Sequence, residues 1–559
     1  MRRSAALLST AALVAGVAAA PGAAPAGAHP PRCGGYVGLT FDDGPAAGTT
    51  RALLMALQRA GLRATMFNTG KNVEADPDLA RAQLAAGMWI GNHSWDHPFM
   101  TQLTPDEQAS QISRTQDVIR RVTGVVPDLF RPPYLDTDDA LRAVQRQFGL
   151  TEINTDVDSR DWDDASVDDI VASVGRMQAG DVILMHDWPA NTIAAIPRIA
   201  EDLRRRGLCA GRISPVTGRA VAPDHRALGA AHTAGRVEDR GAAVRYTWPG
   251  VYFEGRFRGT SVGIALDDAV NDYEIQVDGG ASVNLVRPGR TTHWINGLTA
   301  ENHSVRVAKR TESPWAAGQF GGFVAGPGGT LLGRPAPRSR QIEFIGDSWT
   351  AGYGNTSTER DCTGNGGVDR NSNANQSFGA LTARTLDADY QINAWSGRGM
   401  VRNYNGGDPG TDFRTWYDRT LQAAGDEPWR PRGWRPQVVV VGLGINDFST
   451  PLNPGERWTD EAALAADFRA AYHGFLDKLR DRYGPRTRIV LTYPSLGNTT
   501  ALADAVEQVV AERADRRVRS LHYDNAALGL DLLGCDWHPS ARDHELLAGA
   551  LTPVLRNLI

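Results

Sequence analysis

Between residues 33 and 213, short apolar runs alternate with stretches whose apolar positions recur at helical spacing. Val37–Phe41, Ala64–Asn68 and Val182–Met185 read as buried strands, and Thr50–Ala60, Asp78–Ala86, Glu107–Thr123 and Asp168–Gln178 as helices. That alternation predicts parallel strands arranged as a barrel with helices outside. Over 214–231 the periodicity fades and Pro, Gly and Ala dominate, which predicts a linker. From 232 to 335 the texture is period-two: Val251–Arg258, Ser261–Leu266, Tyr273–Val277 and Ser304–Lys309 are separated by Gly, Asp and Asn turns. Such spacing predicts an all-β sandwich. From 338 to 559 the strand–helix alternation returns, with Ile342–Ile345, Tyr390–Asn393, Val438–Val441 and Ile489–Thr492 as buried parallel strands of a three-layer α/β unit.

The chain of 559 residues is long enough for three domains of ordinary size, and 42% hydrophobic residues can fill their cores. A net charge of −5 gives no reason to expect nucleic acid or an anionic membrane as partner. Arg2 and Arg3, the apolar stretch Ala5 to Ala20 and the small residues ending Ala26-Gly27-Ala28 predict a secretory signal over 1–28, cleaved after Ala28. The mature protein is then expected outside the cell, with no membrane segment. Four cysteines suit that setting and allow three pairings. The simplest closes each region on itself, Cys33 with Cys209 and Cys362 with Cys535.

Several strings fall at the ends of the predicted strands. Thr40-Phe41-Asp42-Asp43-Gly44-Pro45 closes the first, and His93-Ser94-Trp95-Asp96-His97 spaces two imidazoles four apart. On one helical turn those imidazoles would face the same way and share a cation. Either aspartate can complete the ligand set while its neighbour handles protons. Arg131-Pro132-Pro133-Tyr134, Asp158-Ser159-Arg160-Asp161-Trp162 and Ile183-Leu184-Met185-His186-Asp187 follow. Each alone is an ordinary acidic turn, polar helix face, stiff loop or strand end. In this order, over Cys33 to Asp224, they resemble the NodB-homology polysaccharide deacetylases, carbohydrate esterase family 4, and within it the secreted acetylxylan esterases.

The resemblance implies a distorted (β/α) barrel over 33–213 with its chemistry at the strand C-termini. It implies a divalent cation, zinc or cobalt, on Asp43, His93 and His97, with Asp42 as general base positioned by Arg131. The Tyr134 backbone N–H would face the oxyanion, and His186, held by Asp161, would protonate the leaving group. The family usually carries glycine after RPPY, where this chain has Leu135.

In the last unit, Gly346-Asp347-Ser348 follows one strand, Gly397 another and Gly444-Ile445-Asn446-Asp447 a third, while Asp536-Trp537-His538-Pro539 lies near the C-terminus. GxSxG is absent, so an α/β-hydrolase elbow is not indicated. The set resembles the SGNH hydrolases. With the preceding sandwich it resembles family 2 carbohydrate esterases over 232–559, a jelly roll (232–335) followed by an SGNH unit (338–559). By that resemblance Ser348 is the nucleophile and His538 its base, with Ser348 N–H, Gly397 N–H and the Asn446 side chain as oxyanion hole, and no cofactor. SGNH enzymes usually carry an acid three residues before the histidine; here that position is Cys535 and Asp536 is two before. Either Asp536 or a backbone carbonyl then orients His538. Trp537 either stacks on a sugar face or packs into the core.

Both halves thus imply a secreted bifunctional esterase that removes O-acetyl groups from acetylated xylan or a related polysaccharide. The alternative is an N-deacetylase of chitin or peptidoglycan whose C-terminal half is a binding or accessory esterase module.

Overall fold

The computed structural model describes residues 33–431, 433–497 and 499–559. The expected signal segment lies outside them. Among the described residues no helix is long and apolar enough to cross a membrane.

The first unit is a curled parallel sheet of eight strands. These are β1 (Gly35–Gly44), β2 (Thr65–Asn68), β3 (Trp89–Asn92), β4 (Leu129–Phe130), β5 (Thr151–Glu152), β6 (Val157–Asp158), β7 (Val182–His186) and β8 (Leu208–Ala210). Their order is β5-β4-β3-β2-β1-β7-β6, with β8 against the start of β1. Val37, Leu39 and Phe41 of β1 are buried among the helices Thr50–Ala60 and Ala190–Arg205, as its unbroken apolar run requires. Register decides where the chemistry gathers: Asp42 pairs with Phe67 and His186, and Asn92 with Phe130. The C-terminal ends of β1, β3, β4 and β7 therefore form one rim.

The expected linker is a structured joint instead. Arg212–Ile213 and Ala220–Val221 form a hairpin, tied to the first sheet by Gly211 N–H to Val37 O (2.9 Å) and Ala220 N–H to Gly180 O (2.9 Å). At its tip, Val216 is fully buried against Ala243 and Ala265 of the sandwich. The Pro and Gly that suggested a tether build a tight turn, in which Ser214 Oγ accepts from Val216 N–H at 3.2 Å.

The middle unit is two antiparallel sheets of six and five strands. Tyr252–Arg258, Asn302–Lys309 and Asp272–Val277 centre one; Gly318–Ala325, Val262–Asp268 and Gly289–Ile295 belong to the other. The last unit is a five-stranded parallel sheet in the order Ala388–Ala394, Arg340–Gly346, Val438–Gly442, Arg488–Pro494, Val518–Tyr523. The strand order reverses at Arg340–Gly346, the place where doubly wound sheets open a crevice at their carboxyl ends. Sandwich and sheet share one continuous core, and inside it the fully buried Arg236 meets Glu343 at 2.9 Å. Disulfides join Cys33 to Cys209 and Cys362 to Cys535, one within each region.

Candidate active sites

On the first rim, β1 leaves its ladder with a bulge between Asp42 and Gly44, and Asp43 turns into the left-handed region at φ 69°. The two adjacent carboxylates therefore diverge. Asp42 Oδ1 accepts from Arg131 Nη1 at 2.9 Å. Arg131 is wholly buried and also donates to Thr40 Oγ1 (2.5 Å) and Ile153 O (3.3 Å), so its guanidinium cannot swing. Its own carbonyl receives His93 Nδ1–H at 2.7 Å, which leaves His93 Nε2 free.

His93 Nε2 and His97 Nε2 lie 3.5 and 3.3 Å from Asp43 Oδ1. One ligand atom from each of the three lies within 4.8 Å of the others. Asp43 Oδ1 is buried with no hydrogen-bond partner. A carboxylate oxygen without a donor and two imidazole nitrogens turned toward it form the donor set a divalent cation takes. Burial alone would raise the Asp43 carboxyl, but the neighbouring imidazoles of His93, His97 and His186 hold it far below the carboxylate range.

The two histidines do not share a helical turn. They lie on the loop after β3, where Ser94 and His97 have φ of 64° and 66°. Asn92 Oδ1 accepts from Ser94 N–H (2.9 Å) and Ser94 Oγ from His97 N–H (3.1 Å). These local bonds replace the helical ladder and still bring the rings to 4.9 Å.

His186 closes β7, its Nδ1 2.8 Å from Asp161 Oδ1. Asp161 is itself held by His186 N–H (2.7 Å) and Thr192 Oγ1 (2.6 Å). Burial would lower the His186 pKa, but the bond and charge of Asp161 outweigh it and the net shift is upward. Tyr134 lies at φ 58°, ψ 12°, its exposed ring stacked on Phe99 at 4.1 Å. Trp188, unassigned in the sequence, donates Nε1–H to Asp43 Oδ2 at 3.3 Å. Its signal was its place two residues past His186, just beyond a strand end on the rim.

In the second site the three marked loops start level, because Gly346 pairs with Ala394 on one side and Gly442 on the other. Ser348 begins a four-residue helix directly after its strand. Its Oγ lies 2.8 Å from His538 Nε2. His538 Nδ1 faces the backbone carbonyls of Cys535 (2.9 Å) and Asp536 (3.2 Å). The Asp536 carboxylate points elsewhere and accepts from Tyr353 Oη at 2.8 Å. Positive φ at Asp536 and Trp537 (52° and 65°) turns the carbonyls inward. Burial lowers the His538 pKa, which keeps the ring neutral and able to take a proton. Trp537 is 64% exposed, with Arg360 Cζ 3.5 Å over its ring, so it is no part of the core.

Asn446 is buried, its Nδ2 donating to Arg398 O (3.0 Å) and Asp347 Oδ2 (3.3 Å). Gly397 has φ 78° in a loop whose next turn hangs on Asp447. That carboxylate, also unassigned in the sequence, accepts from the N–H groups of Met400, Val401 and Arg402 at 2.8–2.9 Å. From the sandwich, Glu312 Oε1 accepts from Ser396 N–H at 2.9 Å, beside Gly397.

Comparison with known proteins follows the same division. Residues 29–153 match the family model for polysaccharide deacetylase, 233–335 that for the carbohydrate esterase 2 N-terminal unit, and 344–552 that for the GDSL-like lipase/acylhydrolase family. An acetylxylan esterase/glucomannan deacetylase of Cellvibrio japonicus is 42% identical over 57% of this chain and 89% of its own length. A bifunctional xylanase/xylan deacetylase of the same organism is 43% identical over 34% of this chain, which spans only 29% of that protein. A solved carbohydrate esterase, described as displaying divergent catalytic and non-catalytic binding functions at its active site, is 40% identical. It aligns with a TM-score of 0.54 over 58% of this chain and 97% of its own.

Proposed function

Because the chain belongs to the carbohydrate esterases, with a polysaccharide deacetylase unit ahead of a family 2 esterase unit, we propose that it removes O-acetyl groups from acetylated xylan at two chemically independent centres. One observation carries this reading. Asp43, His93 and His97 converge in one unit while Ser348 Oγ meets His538 Nε2 in another.

In the first centre Asp43, His93 and His97 would hold a divalent cation, zinc or cobalt. Such a cation supplies Lewis acidity, lowering the pKa of water and polarising an acetyl carbonyl. Asp42, oriented by Arg131, takes the proton of the attacking water. Tyr134 N–H donates to the oxygen that gains charge, and His186, kept protonated by Asp161, returns a proton to the departing sugar oxygen.

In the second centre Ser348 Oγ attacks the acetyl carbon as His538 Nε2 takes its proton. The backbone N–H groups of Ser348 and Gly397 and the Asn446 amide face the tetrahedral oxyanion. His538 then gives that proton to the departing sugar oxygen as its bond to the acetyl carbon breaks, and water, activated by the same ring, frees acetate from the serine. The cysteine pairs and the charged, then apolar, N-terminal stretch support export from the cell.

Acetate release from acetylated xylan by the full chain tests both halves. A chelator is expected to remove one part of the activity and Ser348→Ala the other, with both together leaving only background. If chelation of the Ser348→Ala variant left acetate release unchanged, the metal-dependent half of the proposal would be wrong.

A further inference from the structure

A cleft of about 1180 Å³ opens where the first unit meets the other two, lined by none of the residues assigned to either centre. Arg146, at the end of the helix Asp139–Gln147, lines one wall; Arg240, Arg245, Arg290 and Trp315 line the other. The walls are joined by Arg290 Nη1, which donates to Glu152 O at 2.9 Å, and by the buried Val216 plug. The cleft is thus part of the fold rather than a gap between loose units.

Its cations outnumber the carboxylates they face. Arg240 and Arg245 share one partner, Glu238, at 3.0 and 3.1 Å. Arg290 lies 3.6 Å from Asp267. Arg146 is exposed and makes no ion pair among the described residues. Asp268 also lines the cleft, but it is buried and its Oδ2 is taken by Tyr273 Oη and Asn271 Nδ2. Burial first, and then the neighbouring Arg240, lower the Arg245 pKa against the pull of Glu238. Beside these groups Trp315 is 66% exposed, while edge contacts with Trp395 (5.4 Å) and Trp416 (6.2 Å) hold its ring in place.

An open indole, held in place in a cleft where five guanidinium groups meet four carboxylates, matches a sugar ring that carries a carboxylate. A densely charged polyanion would meet Asp267 and Glu238 as well. We propose that this cleft is a binding site for a uronate-bearing glycan strand, its pyranose face on Trp315 and its carboxylate on Arg146 or the Arg240/Arg245 pair. The site goes beyond the esterase reading and needs neither centre to turn over.

The test is calorimetric titration of the full chain with a glucuronate-substituted xylo-oligosaccharide, an oligogalacturonate and an unsubstituted xylo-oligosaccharide. At low salt at least one acidic probe is expected to bind about tenfold more tightly than the neutral one. Which acidic probe does so tells side-chain from main-chain uronate. Arg146→Gln with Arg240→Gln should bring that preference below about twofold, with unfolding temperature and turnover of a small neutral acetyl ester unchanged. Equal affinity for acidic and neutral probes, or a preference that survives the double substitution, overturns the proposal. A uronate preference in a protein that releases no acetate would leave the cleft standing and sink only the esterase reading.

Discussion

Residues held at positive φ shape both sites. Tyr134 and Leu135 are consecutive at 58° and 56°, a conformation that costs a residue with a side chain roughly 1–2 kcal/mol. Glycine after RPPY suits that backbone, and this chain tolerates leucine there with its side chain half-buried. Leu135→Ile should therefore lower unfolding stability by about 1–2 kcal/mol, because a β-branched residue resists this region most. Leu135→Gly should stay within about 1 kcal/mol of wild type, the relieved strain offsetting lost packing and chain entropy; denaturant titration of both variants checks the pair. At the serine site, His538 is oriented by carbonyls and Asp536 by Tyr353. Asp536→Asn should change the serine centre's kcat by less than about tenfold, against a loss of about 10⁴ or more for Ser348→Ala. A loss on the scale of Ser348→Ala in the Asn variant would show the carboxylate orienting His538 after all.

At the scale of elements, each centre stands where parallel strands end. The short helix that begins at Ser348 is capped by Asp347, which accepts from Trp349 N–H at 3.2 Å. Burial, with Asp447 nearby, pushes the Asp347 carboxyl up to about 8. Its folded pKa lies above its unfolded value, so the native state holds the extra proton between about pH 4 and 8. Stability from this group is complete below that window and is lost as pH rises through it, by at most about 1.4 kcal/mol per pH unit. Asp347→Asn keeps a capping oxygen and is always neutral. It should flatten the decline in unfolding free energy between pH 6 and 8; an unchanged slope would place the titrating group elsewhere.

At the scale of the whole molecule, the three units form one body. The hairpin 212–221 belongs to the first sheet by hydrogen bonds and to the sandwich by its buried tip, and the Arg236–Glu343 pair joins sandwich and last sheet from inside a shared core. Val216→Asp places a carboxylate among apolar groups, at a cost of about 3 kcal/mol. It should separate the thermal transition of the first unit from the rest and enlarge the radius of gyration in solution scattering, with each centre still active on small substrates. A single transition and unchanged scattering would mean that other contacts suffice to hold the joint.

Much of this was legible along the chain. Strand positions followed from apolar runs, since a strand buried on both faces must be apolar throughout, and the motif residues of both centres lie within a few positions of those strand ends. Asp43, His93 and His97 could be grouped because each belongs to a short contiguous string. The loop path that joins His93 to His97 was not legible, since two side-chain bonds and two positive φ values decide it. Nor was the choice between Asp536 and a backbone carbonyl as the partner of His538, or the burial of Val216 at a turn rich in Pro and Gly. Periodicity records which side chains avoid water; it does not record the sign of φ, the direction of a carbonyl or the partner that covers a turn. Those are set by contacts between residues far apart in the chain, and only the folded arrangement brings them together.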